Sequence, residues 1–410
     1  MALRKNITGL FLSQLFTYVV PLLQFPYLTR VLEANKFGLL VFSLSMLQLS
    51  TVITDYGFDL SMTSRLSARR AKKKIYGWYL YQACIIKLVL VVAATLLLLS
   101  IFTYTDHFND EHGFAIFILC AAIMNGFNPR WLYQCLEKLY IYAYITIGLR
   151  VVFLLAVILL IKTSDDIIYY GLLLFLNAFI TLLISYWIIK YSFEIRFVRA
   201  SVKKTLNTFK YGFEFFLSRI GASIYTSGCS LFLGTFGSSL EQVAIYGVAE
   251  QLYKAGVQVF SPVITALTPY MVRTKNYQLF NKIVCICMSF AISGAMIGIA
   301  FGSEIIELIF GHDYVNAYDS LVIFMIIIVG SILGMLMGYP ALLPIGLAKY
   351  ANRSIFIAGL IQIFLLFGVY ILNIPVIATT IVFTYLICDW SMCIMRCICY
   401  FYYRKVMTLK

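Results

Sequence analysis

The stretch YLYQACIIKLVLVVAATLLLLSIF, residues 79–102, decides the fold class. From Leu88 to Phe102 it contains no charged residue, and about 20 mostly apolar residues are what a helix needs to cross a membrane. The apolar residues run continuously instead of alternating, which favours a helix over a strand of a membrane barrel. A helix also satisfies its own backbone hydrogen bonds in lipid. The stretch therefore predicts a transmembrane helix.

Runs of the same kind recur through the chain. Of the 410 residues, 62% are hydrophobic and 12% are charged, whereas a soluble domain has about 45–50% and 25%. The runs predict helices near 7–29, 37–55, 79–102, 113–133, 139–162, 167–190, 208–233, 243–269, 280–302, 320–346, 352–372 and 376–402. The sequence therefore predicts an all-α polytopic membrane protein with about twelve transmembrane helices. The first run lacks a small-residue cleavage pattern, so we expect a retained span and not a removable signal.

The charges between the runs favour an even number of spans. If the amino terminus is cytoplasmic, most of the 32 lysines and arginines fall on the cytoplasmic side, including those at 65–74 and 190–210. The opposite side holds only Arg30, Lys36 and Lys162. Since cytoplasmic loops are enriched in Lys and Arg, we expect both termini in the cytoplasm. The net charge of +14 then reflects topology and leaflet electrostatics, and we expect no nucleic-acid partner.

A basic stretch at 191–207 divides the predicted spans into two halves. It places one six-helix lobe at 1–190 and a second at 208–410. The short sequences Lys36-Phe37-Gly38 and Ile245-Tyr246-Gly247 stand near the starts of the second and eighth spans. Because six helices return the chain to the same side of the membrane, the two halves are expected to be parallel repeats.

Polar side chains recur on one face of four predicted spans. The spacing is three or four residues, which keeps them on one side of a helix. They are Gln14, Thr17 and Gln24, in register with Pro21, in the first span; Gln48, Thr51 and Asp55 in the second; Arg219, Ser223, Thr226 and Ser230 in the seventh; and Glu250, Lys254, Gln258, Ser261, Thr265 and Thr268 in the eighth. A charge within a span costs about 2.5–3.5 kcal/mol, so these faces predict a central hydrophilic cavity between the lobes. For Glu250 and Lys254, mutual neutralisation as an i,i+4 pair is the alternative.

The balance of basic and acidic residues in the predicted cavity indicates the sign of the charge on the substrate. Arg30, Arg150, Arg219 and Lys254 stand against Glu250 and Asp55, a modest positive excess. A guanidinium binds phosphate through two parallel hydrogen bonds, so we expect an anionic substrate group in the cavity.

Two further intramembrane sites have structural interpretations. Lys87 is expected to snorkel to the headgroups, and Asp389 is expected to pair with Arg396. Arg130 is expected to anchor the chain at the inner interface.

No enzymatic or metal-binding pattern is present in the sequence. There is no Walker A motif, and no predicted outer loop is long enough for a catalytic domain. The ten cysteines lie almost wholly in apolar runs, away from the three histidines, which is typical of small core residues and not of a zinc site. We therefore expect no catalytic residue, no metal and no cofactor.

Two motifs resemble a known family. The first is Thr54-Asp55-Tyr56-Gly57-Phe58, continuing through Ser64-Arg65 to Ala68-Arg69-Arg70. The second is Tyr246 to Leu252 with Lys254-Ala255, Ser261-Pro262 and Thr268-Pro269. Both resemble the second-helix and eighth-helix patterns of Wzx-type O-antigen flippases, of the multidrug/oligosaccharidyl-lipid/polysaccharide (MOP) superfamily. Gln251 departs from the pattern, which more often has a basic residue there.

The resemblance implies a MATE/MOP-like fold of two six-helix lobes around a central cavity. It implies translocation of undecaprenyl-pyrophosphate-linked O-antigen, or related surface polysaccharide units, from the cytoplasmic to the periplasmic leaflet of the bacterial inner membrane by alternating access. The implied partners are this lipid-linked oligosaccharide, membrane lipids, and the polymerase and chain-length regulator of the same pathway. Two alternatives stay open: a MATE-like cation or drug antiporter, and an O-antigen polymerase or ligase.

Overall fold

The computed structural model describes residues 19–66 and 73–408, without the side chains at 214, 218, 222, 225, 226 and 404–408. All regular secondary structure in these residues is helical. Ten helices of this part of the chain are long and apolar enough to cross a membrane. The predicted all-α polytopic class is confirmed, while the count of about twelve spans stays a prediction.

The helices lie where the apolar runs predicted them, usually with longer ends. Up to the predicted basic linker they are α1 (residues 19–31), α2 (Ala34–Asp55), α3 (Phe58–Leu66), α4 (Lys73–Thr105), α5 (His112–Gly126), α6 (Arg130–Cys135), α7 (Leu139–Leu160) and α8 (Ile167–Tyr191). After it come α9 (Val202–Phe236), α10 (Leu240–Thr274), α11 (Tyr277–Ala300), α12 (Gly302–Phe310), α13 (Tyr318–Leu336), α14 (Tyr339–Leu342), α15 (Ala348–Ile371) and α16 (Ala378–Thr408).

The helices form two compact units. Unit 1 comprises Met1–Lys36 and Ser43–Ile220, and unit 2 comprises Phe37–Phe42 and Gly221–Lys410. The division falls inside α9, whereas the sequence placed a linker at 191–207. The predicted lobes at 1–190 and 208–410 stay a prediction.

Left-handed and proline residues interrupt several of the predicted spans. Tyr56 and Gly57 have φ of 48° and 66° and separate α2 from α3. Pro129 separates α5 from α6 inside the predicted 113–133 span. By contrast, α10 continues through Pro262 and Pro269 without a break in its assignment. The helical hydrogen bonding is therefore interrupted at Tyr56 and Gly57 and continues past the two prolines of α10.

Unit 1 has an aromatic core where α3 packs on α6, and α6 in turn contacts α8. Phe58 lies 6.3 Å from Trp131, and Tyr133 lies 5.4 Å from Phe193, measured between ring centroids. The Tyr133 hydroxyl donates a hydrogen bond to the Ser185 carbonyl at 2.7 Å. Because these rings are buried, they fix α3, and with it the residues that flank the Tyr56–Gly57 break.

Unit 2 is organised around α13, which packs against α10, α11 and α16. Glycines on α13 allow the close approach of α16: a Cβ added to Gly330 would lie 3.0 Å from the Trp390 ring. A buried polar cluster joins these helices, since the Ser331 hydroxyl donates to Asp389 at 3.0 Å and lies 2.7 Å from the Tyr253 hydroxyl. In this helical bundle Tyr253, Ser331 and Asp389 thus satisfy one another's hydrogen bonds.

The basic stretch after α8 is docked on the first turns of α4. Phe193 and Ile195 are buried, and the Val198 amide donates to the Gly77 carbonyl at 3.4 Å. A Cβ at Gly77 would lie 2.1 Å from the Arg196 carbonyl oxygen, so only glycine permits this approach. Lys73 pairs with Glu194 and lowers the pKa of that carboxyl.

Candidate functional site

The candidate site is built at the break between α2 and α3. Tyr56 caps α2, and its ring stacks on Phe209 and Phe216 of α9 with centroids 4.8 and 4.7 Å away. Its hydroxyl donates to the Phe209 carbonyl at 3.2 Å. A Cβ at Gly57 would lie 2.8 Å from Cβ of Phe215. The break is therefore pressed against the unit 1 part of α9, and its two flanking carboxylates face the same helix.

Arg219 on α9 joins those two carboxylates. Its Nη1 lies 3.5 Å from Oδ2 of Asp55, at the end of α2, and its Nη2 lies 3.3 Å from Oδ2 of Asp59. Asp59 is buried in the first turn of α3, where free amides and the helix dipole stabilise a negative charge. The Arg219 side chain stays 34% exposed, so its guanidinium is paired and still accessible.

Lys87 approaches the same carboxylates from α4. Its side chain is 2% exposed, and its ammonium donates to the carbonyls of Gly126 and Asn128 at 2.9 and 2.8 Å. It also lies 3.7 Å from Oδ1 of Asp55. The prediction that Lys87 snorkels to the headgroups is wrong: the free carbonyls at the end of α5, where the helix dipole favours a cation, hold the ammonium inside unit 1.

Two further arginines border this group. Tyr142 of α7 accepts a hydrogen bond from the Asn128 amide at 2.6 Å and lies within electrostatic range of Arg130 and Arg150. Arg130 also lies within electrostatic range of Asp55. We call these residues the charged cluster: Asp55, Asp59, Lys87, Arg130 and Arg219. Its members are three bases and two acids, so the cluster is positive overall. Arg150 lies outside it, within electrostatic range of Tyr142 and Arg130.

The polar stripe of α10 lies in unit 2. Because α10 is one continuous helix, Glu250, Lys254, Gln258, Ser261 and Thr265 keep a common face. Lys254 Nζ lies 2.8 Å from Oε2 of Glu250, the i,i+4 pair that the sequence left open. Glu250 is 10% and Lys254 44% exposed at the side chain, so the carboxylate is enclosed while the ammonium reaches the surface of its unit.

The remaining predicted residues of the first span do not join either group. Gln24 is buried within unit 1, and Arg30 is exposed. Gln14 lies outside the described residues, as does the side chain of Thr226 in the seventh span. Of the predicted site residues, the structure pairs Asp55 with Arg219 in unit 1 and Glu250 with Lys254 in unit 2.

Sequence reasoning gives less weight to three members of the charged cluster. Asp59 lies just beyond the predicted second span. From the sequence, Lys87 is expected to snorkel to the headgroups and Arg130 to anchor the chain at the inner interface. The spacing of Asp55 and Asp59 around Tyr56-Gly57 is the available signal, because a left-handed pair in that position turns both carboxylates toward one neighbour. In unit 2, Arg396 donates to the Gly334 carbonyl at 2.7 Å and to the Ser354 hydroxyl at 2.9 Å, which supports a structural role.

Solved structures with the same fold are membrane transporters. The lipid II flippase MurJ, in an inward closed conformation, matches with a TM-score of 0.73 at 14% identity, over 95% of this chain and 86% of that one. An inward-facing MATE family multidrug resistance transporter of the MOP superfamily matches with a TM-score of 0.66 at 14% identity, over 96% and 98%. The predicted MATE/MOP-like fold is confirmed.

Sequence relatives agree with this assignment. A protein of Escherichia coli (strain K12) named "Putative O-antigen transporter" is 26% identical over 376 residues, 90% of each chain. A protein of the same name from Shigella dysenteriae is 24% identical over 318 residues, 76% of this chain and 79% of the relative. These names confirm the prediction of a transport protein rather than an enzyme. The family described as polysaccharide biosynthesis protein matches residues 3–275, well over half of the sequence, and on this evidence the chain belongs to that family.

Proposed function

We propose that this protein flips a lipid-linked sugar unit, an undecaprenyl-pyrophosphate-linked repeat of O-antigen or a related surface polysaccharide. The direction is from the cytoplasmic to the periplasmic leaflet of the inner membrane, by alternating access. The proposal has three supports: the family, the names of the relatives, and a fold otherwise found in a lipid II flippase and in multidrug transporters.

The charged cluster is the observation that carries the proposal. A diphosphate headgroup needs positive charge that is accessible and not fully neutralised, and the cluster has more bases than acids among the described side chains. Arg219 is the favoured anchor because its guanidinium is 34% exposed and can offer a planar pair of donors to phosphate. Arg130, which lies within electrostatic range of Asp55, adds positive charge to the same cluster.

A cation antiporter is the competing function, and the same observation argues against it. A site for organic cations is expected to have an excess of carboxylates. In the charged cluster, Asp55 and Asp59 are both engaged by bases. The protein is therefore better suited to an anionic group.

The test is complementation of a strain that lacks this gene, with surface polysaccharide as the readout and the amount of protein in the membrane as the control. Arg219→Ala is expected to abolish surface polymer, and Arg219→Lys to restore only part of it, because a lysine lacks the bidentate fork. Full surface polymer with Arg219→Ala would show that Arg219 is not the anchor.

Substitution of Asp59, a partner of Arg219, distinguishes a purely structural role of Arg219 from substrate binding. If Arg219 only ties α9 to the α2–α3 break, Asp59→Ala should cause part of the loss seen with Arg219→Ala, because it removes one of the two pairs, that at 3.3 Å, and leaves the pair with Asp55 at 3.5 Å. If Arg219 binds the substrate, Asp59→Ala should keep transport, since the guanidinium stays and becomes more available.

Alternating access has its own test on the stripe of α10. Single cysteines at Ser261 and Thr265 should react with membrane-impermeant reagents from the cytoplasm in one state and from the periplasm in another. Reaction from one side only, under every substrate and ion gradient, would reject this route. Transfer of a labelled lipid-linked sugar across proteoliposome membranes gives the direction.

A further inference from the structure

Unit 2 contains an apolar cavity of about 630 Å³ between α10, α11 and α13. Its floor includes Ala291, Met325 and Ile328, all buried, and its rim includes Val259 and Phe290, which are 71% and 69% exposed. No residue lining it is charged. A cavity of this chemistry can hold hydrocarbon and has no donor or acceptor side chain for a polar ligand, apart from the weakly polar Cys287 thiol.

Small residues create this cavity, which we call the α10–α11 groove. A Cβ at Gly256 would lie 2.4 Å from Ile328, and a Cβ at Gly298 would lie 2.4 Å from the Met325 sulfur, so these glycines let α13 form the floor. Gly294 differs, because a Cβ there would meet nothing within 4 Å. Gly294 therefore faces open space in the groove, and a side chain at this position would fill the groove without displacing a neighbour.

One helix carries both the groove and the polar stripe. At 3.6 residues per turn, the groove residues Leu252, Gly256 and Val259 fall on the side of α10 opposite to Glu250 and Lys254. A molecule that uses both sides must have a polar head and a long apolar tail, and must reach around a single helix. Lipid-linked sugars have that character, whereas a soluble sugar nucleotide or a drug-sized cation does not.

We propose that the α10–α11 groove binds the polyprenyl tail of the lipid-linked substrate while a polar part of the same molecule contacts the polar side of α10. This inference rests on the proposed function for the identity of the lipid. A polyprenyl chain is methyl-branched and thicker than a straight acyl chain, and the small residues Gly256, Ala291, Gly294 and Gly298 in the groove lining provide the width that it needs. Burial of the chain in a preformed apolar groove contributes affinity through its removed surface.

Photolabelling of the full-length protein tests this. The protein is reconstituted in phosphatidylethanolamine and phosphatidylglycerol vesicles with a polyprenyl phosphate that carries a photoreactive group in its tail. A phosphatidylglycerol with the same group in an acyl chain is the comparison. We expect the polyprenyl probe to label α10 and α11 peptides, and Gly294→Leu to reduce that labelling at least tenfold, which corresponds to about 1.4 kcal/mol of binding free energy. Gly368→Leu on α15 is the matched control, since Gly368 also has nothing within 4 Å and lies outside the groove.

The outcomes separate the groove from the proposed function. Unchanged labelling in Gly294→Leu, or labelling elsewhere, overturns the groove even if surface polysaccharide is made normally. Equal labelling by the acyl probe also overturns it, because the groove would then be a general lipid site. If deletion of the gene leaves surface polysaccharide intact, the proposed function fails, while labelling that is selective for the polyprenyl probe and lost in Gly294→Leu would still support the groove.

Discussion

Replacing Lys87 by Met should be among the most destabilising single changes in unit 1. The side chain is 2% exposed, and its ammonium serves two backbone carbonyls and one carboxylate. Methionine fills a similar volume but leaves the carbonyls of Gly126 and Asn128 without this donor, and Asp55 without one of its counter-charges. Removing one partner of a buried ion pair typically costs about 3–5 kcal/mol, so we expect a loss of that order.

The assay uses the cysteines. All ten are free, and Cys135, Cys229, Cys287, Cys388 and Cys393 are buried, so a thiol-reactive dye reports unfolding of the purified protein on heating in detergent. Lys73→Met is the matched control: Lys73 pairs with Glu194 where both side chains are more than half exposed, and such pairs contribute about 0–1 kcal/mol. We expect a clear decrease in melting temperature for Lys87→Met and little change for Lys73→Met.

A double substitution shows which partner matters. Adding Asp55→Asn to Lys87→Met should recover part of the lost stability, because the partner carboxylate that lost its counter-charge is gone as well. Residues in direct contact are expected to deviate from additivity by about 0.5–3 kcal/mol. If Lys87→Met melts at the same temperature as Lys73→Met, the ammonium is solvated at the membrane surface and the burial argument is refuted.

The other predictions concern topology, backbone strain and pH. Reporter fusions should place the loop at 106–111 in the periplasm and the loop at 65–74 in the cytoplasm, and the same side for both would refute the topology. Gly57→Ala should destabilise the protein by more than about 1–2 kcal/mol, the usual cost of a left-handed L-residue, because the new Cβ would also press on Phe215. Gly148→Ala is the control in the same melting assay. It should be neutral or stabilising, because a Cβ there has nothing within 4 Å. Lys73 lowers the pKa of Glu194. The ion pair therefore stabilises the docked 192–201 segment at every pH above the ordinary pKa of a glutamate. This stabilisation is lost as the pH falls through the lowered pKa of Glu194. A spin label at Ser201 should become more mobile on acidification, and Glu194→Gln should remove that dependence.

The apolar runs predicted the helices because the membrane imposes a length and a composition on each span. Helices that contain the longest uninterrupted apolar runs, such as α4, were located in the sequence with the least ambiguity. The short helix Gly302–Phe310 was not predicted, since nine residues do not span a membrane and its position depends on packing within unit 2. The α5–α6 break at Pro129 was missed because an apolar run gives no sign of where its direction changes.

The sequence identified only some members of the charged cluster as candidates, and their assignment to a substrate site stays a prediction. Arg219 and Asp55 were identified because charges within spans are costly, but their pairing joins residues far apart in the sequence and depends on how α9 packs on the break. Lys87 shows the limit most clearly. Its depth in the span was evident, but the carbonyls that hold it come from the end of another helix. The glycines of the α10–α11 groove gave no signal, because a missing side chain has meaning only once its neighbours are known.

The break at Tyr56 and Gly57 also constrains how the chain can vary in length. Each residue added to or removed from a helix rotates the remainder of that helix by about 100°, since a turn contains 3.6 residues. A single insertion between Asp55 and Asp59 would turn the second carboxylate away from Arg219 and the left-handed Gly57 away from Phe215. Many substitutions in the lipid-facing parts of α4 or α11 would be tolerated, but an insertion or deletion of one residue here would not. Sequence alignments of relatives should therefore be free of gaps across residues 54–59, even where identity on both sides is low.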